Sequence, residues 1–288
     1  LHVGEVVDPA EINGVNAYSP DIFVTRIRRL FSAAVEIMPR WSADCAFEGM
    51  VVAVNGDLVS GDIHDELRRT NSLTALEQAY LCADEIVGGV SVLRGVGWPV
   101  WVIFTPGNHG RTTEKTHAKR TSRLSYDMLV GEMVRRHFAG VAAAGGPKVD
   151  VTLATGRDVE YPLFGWNVFQ SHGDALGSGG GKGFAGPVLP IARGGRNVDL
   201  AAYAMDHRHH IKLTAHYHTS ANPGRGHFAN GSLIGFNEFA MSIRAVAEPP
   251  QQWLLHVHER WGVRERCEIR LDDPVREKPR VRVAAFTA

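Results

Sequence analysis

The sequence predicts an α/β fold, and three observations carry the prediction. Short apolar runs alternate with amphipathic stretches of helical length. The runs are closed by turn residues, as at Asn55-Gly56 and Pro106-Gly107. The last third changes to apolar–polar alternation, the mark of an antiparallel hairpin.

Taken in order, residues 20–38 place Ile22, Phe23, Ile27, Leu30, Phe31, Ala34 and Met38 on one helical stripe. Residues 49–54 (GMVVAV) read as a buried strand. A second helix fits 72–93, with Leu73, Leu76, Tyr80, Ala83, Val87 and Val90 turned inward. Residues 99–104 (PVWVIF) give another buried strand, and a third helix fits about 118–138. Gly/Ala-rich linkage comes next, then a strand at 166–170, a helical segment at 197–206 and a strand at 211–215. Trp253, Leu255 and Val257 alternate with polar neighbours, as do Cys267, Ile269 and Leu271, around a turn at 259–262. This hairpin implies two sheets, with the hairpin on the outer one. No long Pro/Ser/Gly linker divides the chain, so residues 1–288 are expected to form a single domain, with 272–288 a loosely packed, charged tail.

Lys plus Arg and Asp plus Glu are both 31, so the whole-molecule field offers no general attraction to nucleic acid. Any phosphate-binding surface must be local. Cys45, Cys82 and Cys267 form no CxxC pair and no disulfide framework, which suits a reducing, cytoplasmic setting. No apolar run reaches the ~18 residues of a membrane span, and no signal peptide is visible. The chain opens on Leu1 rather than Met, which leaves an upstream address open. The 14 histidines prompt a search for ligand geometry, because neutral imidazole is the commonest metal ligand among side chains.

Behind each core strand comes a turn that carries Asp, Asn or His. "NGDLVSGD" brings Asp57, "TPGNHGR" brings Asn108 and His109, "SHGD" brings His172, and "AHYH" brings His216 and His218. In open α/β sheets the carboxyl ends of the strands line the ligand crevice, so these residues are expected to converge. In an extended segment His216 and His218 would face one side, with Cβ atoms roughly 6–7 Å apart. The donors are oxygen and imidazole without thiolate, which suits Mn, Fe, Zn or Ni. The set is large enough for two divalent ions sharing a ligand.

In this order, "NGD", "GNH", "SHG" and "AHYH" resemble the calcineurin-like metallophosphoesterases, whose pattern runs D-x-H, G-D, G-N-H, a lone H, then G-H-x-H. "LHVGE" is similar to the tail of the D-x-H motif, with His2 as its histidine. The resemblance spans His2 to His218. It implies a four-layer α/β/β/α sandwich of two mixed sheets flanked by helices. It implies two divalent metal ions, Mn first, with Fe, Zn or Ni as alternatives. Asp57 resembles the bridging carboxylate. His2 and His218 would complete one site; Asn108, His172 and His216 would complete the other. His109 resembles the non-ligand histidine that protonates the leaving oxygen, with a metal-bridging hydroxide as nucleophile. Two departures stand out. The Asp of D-x-H would precede Leu1, and Ala215 replaces the family's Gly.

The resemblance therefore implies a metal-dependent phosphoric ester hydrolase. Its motif order and the basic segment 111–120 favour phosphodiesters, a nucleotide or nucleic-acid substrate cut in nuclease-like fashion. Arg111 and Lys115 are the candidate substrate contacts, with Lys119 and Arg120 beside them. The alternatives are a phosphomonoesterase, or a metal-poor binding scaffold of the same fold. Other histidines read differently. His256 and His258 fit a polar strand face. His207, His209 and His210 are either solvated or line the substrate entrance, and His64 and His117, close in sequence to the ligand loops, read as surface residues with substrate contact as the alternative. "LGSGGGKG" at 176–183 lacks the spacing and the Ser/Thr of a P-loop and reads as a flexible lid.

Overall fold

A computed structural model describes residues 1–43, 45–177, 186–224 and 226–272. The expected tail beyond Asp272, and residues 178–183 of the expected lid, lie outside them. The chain is α/β. Helix α1 (Pro20–Trp41) starts where Ser19 accepts a hydrogen bond from Ile22 N and Pro20 supplies a preset φ. Its stripe of Phe23, Ile27, Phe31, Ala34 and Met38 is buried as the periodicity predicts.

Strand β1 (Met50–Val54), β2 (Val100–Phe104) and β3 (Val149–Leu153) form a parallel sheet in that order. Helices α2 (Asp65–Thr70) and α3 (Ala75–Gly95) link the first two strands. A capping box of Thr74 and Glu77 opens α3. Its buried face differs from the predicted one. Ala83 and Val90 are buried as expected, but Leu76 and Tyr80 are 53% and 58% exposed, and Ala79, Cys82, Ile86 and Leu93 complete the buried face instead. The small residues on that face let α3 approach α1. A Cβ on Gly89 would fall 2.0 Å from the Phe31 ring, so close packing overrides side-chain bulk.

Helix α4 (Tyr126–Ala143) begins later than the predicted 118, because Ser125 caps it by accepting from Asp127 N. Residues 118–125 are irregular apart from a short 3-10 turn.

A second, mixed sheet has the order β4 (Asp158–Leu163), β5 (Trp166–Ser171), β6 (Ile211–Thr214), β8 (His227–Ala229), β7 (Ala221–Gly224). Strands β5, β6 and β8 are parallel, and the two edge strands are antiparallel to their neighbours. Helix α5 (Val188–Ala204) is longer than the predicted 197–206 and precedes β6. Helix α6 (Glu238–Ser242) is short. The predicted hairpin is present as β9 (Gln251–His258) and β10 (Gly262–Arg270), with a bulge between Val263 and Glu265. It forms a two-stranded sheet of its own rather than joining the mixed sheet. Trp253 ties it to the end of β8, donating from Nε1 to Ala229 O at 2.9 Å. His256, expected on a polar face, is only 5% exposed and packs against Trp41 and Phe47.

One apolar cluster joins α1, α3 and α4 to the parallel sheet through Phe31, Ile86, Val102, Phe104 and Val134. Another contains Ile103, Tyr161, Val168, Ile211 and Phe228, bordered by Trp101 and Trp253. Ile191 of α5 packs with Ala221 and Ala229. Among the described residues, no helix is long and apolar enough to cross a membrane.

Candidate metal centre

The carboxyl ends of β1, β2, β5 and β6 lie together, and the turns behind them bring the predicted residues into one cluster. Two backbone turns set its floor. Gly56 and Gly107 meet so closely that a Cβ on Gly56 would lie 2.3 Å from Gly107 N. Only glycine permits this approach. Asp57, buried, then points Oδ1 at the His109 backbone N–H, which donates at 2.8 Å.

The opposite oxygen faces two groups of donors. Asp57 Oδ2 is 3.0 Å from His172 Nε2 and 3.7 Å from His2 Nε2. His172 Nε2 is also 3.0 Å from Asn108 Oδ1 and 3.3 Å from His216 Nδ1. On the other side His2 Nε2 lies 3.0 Å from His218 Nε2. Asp57 is therefore common to two groups, one with His172 and His216 and one with His2 and His109, each with ligand-capable atoms within 4.8 Å of one another.

The tautomer of His172 is fixed by its surroundings. Its Nδ1 lies 2.7 Å from Asn55 O, and a carbonyl can only accept, so Nδ1 carries the proton. In the neutral ring Nε2 then presents a lone pair to two oxygens and one other nitrogen. That packing is repulsive unless a proton or a cation lies at the focus. Without a cation, the protonated state takes the role: burial pulls the His172 pKa down, but the charge and hydrogen bond of Asp57 outweigh it and push it up to about 9. Burial, with the charge of His172, lowers His216 to about 4. Burial lowers His218 to about 3. His2 is pushed well down by burial and by His109 and His218. For Asp57 burial opposes ionisation, yet the histidines around it hold its carboxyl well below the usual range. Neutral His2, His216 and His218 beside an ionised Asp57 are the protonation states divalent ions require, and His172 gives up its Nε2 proton when an ion takes the focus.

The backbone adds an independent sign. His2, Asp57, His216 and His218 all have positive φ, at 55°, 48°, 73° and 52°. Such conformations are uncommon outside glycine and concentrate at functional sites. Strand β6 ends at Thr214, so strand alternation does not aim His216 and His218, contrary to the sequence reading. Two left-handed turns aim them. Ala215 is not among the positive-φ residues, so its methyl is tolerated where the resembling family has Gly.

His109 presents one nitrogen to the group with His2. Its Nδ1 donates to Ser60 O at 3.0 Å, leaving Nε2 free. The exposed His64 packs beside it, ring centroids 5.2 Å apart. Arg111 spans its own loop, donating to Asn108 O, Thr113 O and Glu114 O. Lys115 is exposed. Two hollows border the cluster. One is lined by His2, Asp57, His172, His216 and His218 and runs inward past Ile27, Phe31 and Ile86. The other, of about 410 Å³, runs from Asn108 past Arg111, His117 and Arg157 to Asp174.

Sequence reasoning passed over Asp127. Fully buried at the start of α4, its carboxylate accepts from Leu58 N at 2.9 Å, Asp57 N at 3.1 Å and Gly107 N at 2.7 Å. It thereby locks the Asp57 and Asn108 turns to each other. The available signal was Ser125-Tyr126-Asp127 at a helix start, which reads as ordinary capping. Comparisons of the chain with protein families, curated proteins and solved structures return no match.

Proposed function

We propose that the chain is a dinuclear metal-dependent phosphoesterase of the calcineurin-like type, acting on phosphodiesters. The observation that carries the reading is the focus at His172 Nε2, where a carboxylate, an amide oxygen and a second imidazole converge within 3.3 Å. The mixed donor set, the lack of thiolate and the shared Asp57 fit two ions of the Mn, Fe, Zn or Ni group. On this reading the parallel and mixed sheets pack face to face, with α1, α3 and α4 outside one and α5 outside the other, as a four-layer sandwich. The apolar cluster linking Ile103 with Val168 and Ile211 supports that packing.

When bound, the ions would supply Lewis acidity and a water of lowered pKa. The residues do the rest. Asp57 and Asn108 hold oxygens at the focus. His172 is fixed in one tautomer by Asn55 O. His109, anchored through Nδ1, offers Nε2 to donate a proton to the leaving oxygen as the P–O bond breaks. Arg111, which lines the hollow beside Asn108, and the basic segment 111–120 around it favour a phosphodiester.

With Mn²⁺ added, bis-p-nitrophenyl phosphate should turn over faster than p-nitrophenyl phosphate. The reverse order selects a monoesterase, and no turnover of either selects a binding scaffold. His109→Asn should lower kcat by about 10²–10⁴-fold while metal content is retained. Loss of an ion in that variant would make His109 a ligand instead.

A further inference from the structure

Away from the cleft, the segment Asp206-His207-Arg208-His209-His210 meets the edge strand β4. His207 Nε2 lies 2.7 Å from Glu160 Oε2, and His209 Nε2 lies 2.9 Å from Glu160 Oε1. The two imidazole rings are 5.1 Å apart and steeply inclined. One nitrogen from each ring and a carboxylate oxygen thus converge within 4.8 Å. The whole of β6, four residues or roughly 13 Å at strand pitch, separates His209 from the turn that carries His216. This cluster belongs to the opposite end of the strand.

A plain ion pair does not account for it. His209 is 8% exposed, yet neither of its ring nitrogens has a hydrogen-bond partner among the described residues, and the same holds for His207 Nε2. The carboxylate is close to both rings but off the line of an N–H bond. A buried imidazole without a partner is costly, so an unfilled role is indicated. The surroundings are also held in place. His207 N donates to Ala202 O at the end of α5. His210 and Asn167 exchange two hydrogen bonds, His210 N to Asn167 O and Asn167 N to His210 Nδ1. Phe169 packs against the His209 ring at 5.0 Å.

We propose that Glu160, His207 and His209 form a separate mononuclear Zn²⁺ site. Two imidazoles and one carboxylate are a known zinc donor set with a fourth position left for water. Tetrahedral zinc places such donors about 3.3 Å apart, and the two nitrogen–oxygen separations here, 2.7 and 2.9 Å, lie near that spacing. Glu160 is 44% exposed on its side chain, which leaves the fourth position facing solvent. The ion clamps the edge strand β4 to the turn between α5 and β6. It thereby braces the strand whose far end carries His216 and His218. The proposal is independent of the phosphoesterase reading.

The test counts ions. The full-length chain is loaded with Zn²⁺ alone, freed of excess by gel filtration and analysed for zinc. The same is done for Glu160→Gln, a change at an exposed side chain that leaves the core intact. One zinc fewer per chain in the variant, together with a smaller rise in Tm on adding Zn²⁺, is the expected result. Equal zinc content in the two chains overturns the site. A second reading uses crystals grown with Zn²⁺. An anomalous peak within about 2.0–2.2 Å of Glu160, His207 and His209 supports the site, and peaks confined to the cleft refute it.

Discussion

At residues 216–218 a His-x-His pair comes after the end of β6, and at 256–258 the same spacing lies inside β9. In β9 the backbone stays extended and paired to β10. His256 is drawn into the core, where Glu265 occupies its Nδ1 and Phe47 and Trp41 pack on the ring. His258 stacks on Trp261 at 4.3 Å and accepts from Arg260 N. Each ring finds a local partner. After β6 the chain leaves the strand region at both histidines. His216 and His218 turn onto side chains delivered from β1, β5 and the amino terminus, and neither finds a carboxylate of its own. Spacing alone does not make a ligand pair. On the proposed reading, the 216–218 pair differs from the 256–258 pair in backbone that departs from regular structure and in neighbours left with donors to spare.

Exchanging the two pairs for alanine tests this contrast at its widest. His216→Ala with His218→Ala should remove metal from both groups and lower turnover by at least about 10³-fold. The ions' transition-state stabilisation is worth several kcal/mol, and each 1.4 kcal/mol is about tenfold. Steady-state kinetics beside elemental analysis reads both effects. Full metal content with lost turnover would mean that the two histidines act otherwise than as ligands.

The next largest effect belongs to Asp127. Asp127→Ala strands the amide groups of Asp57, Leu58 and Gly107 in a buried setting. Each unsatisfied group costs about 1–3 kcal/mol, so three of them predict a loss of roughly 3–9 kcal/mol in urea unfolding. Asp127→Asn keeps one acceptor oxygen but turns an amide toward the other N–H groups. Metal affinity should fall about 10–100-fold, as for other changes behind a ligand shell. Unchanged affinity by calorimetry would show that the Asp57 turn holds its shape unaided.

Those residues also mark how far the sequence could be read. Asp57, Asn108, His109, His172 and the 216–218 pair stood out because each lies behind an apolar strand and a turn signal. Their convergence was expected from the rule for strand ends in α/β sheets. Asp127 did not stand out, because its partners are backbone groups as far as 70 positions away. Backbone partners leave no letter in a sequence. Strand β7, Ala-Asn-Pro-Gly, has no strand composition and exists because β8 offers it an edge. Strand β4 carries Pro162 and Glu160, which suit an edge strand but mask the period. The face of α3 was misjudged because the fit of Gly89 to Phe31 outranks the bulk of Leu76 and Tyr80.

His227 separates burial from convergence. It lies buried in β8, bonded through Nε2 to Thr214 Oγ1 at 2.9 Å. Burial, aided by the Lys212 charge, lowers its pKa to about 4 from an ordinary 6.5. The unfolded chain therefore binds the extra proton first. This stabilisation is fully present above pH 6.5 and is lost as pH falls toward 4. A tenfold difference in proton affinity is worth about 1.4 kcal/mol, so the loss approaches roughly 3 kcal/mol. Urea midpoints measured from pH 7 to pH 4 should fall less steeply in His227→Gln. Parallel curves would remove His227 from the acid sensitivity.

The smallest effect tests the other side of the contrast. His258 keeps its partners inside the hairpin: the Trp261 face and the Arg260 amide. His258→Ala should cost about 0.5–1.5 kcal/mol, the worth of a ring contact of this kind. The Arg260 amide turns to water in the variant, since residues 259–261 form an exposed turn. Turnover and zinc content should stay within about twofold, as expected for a site remote from the cluster. A large fall in either would mean that the hairpin pair, despite its regular backbone and local partners, contributes to metal binding. The distinction between the two His-x-His copies would then rest on something other than backbone departure.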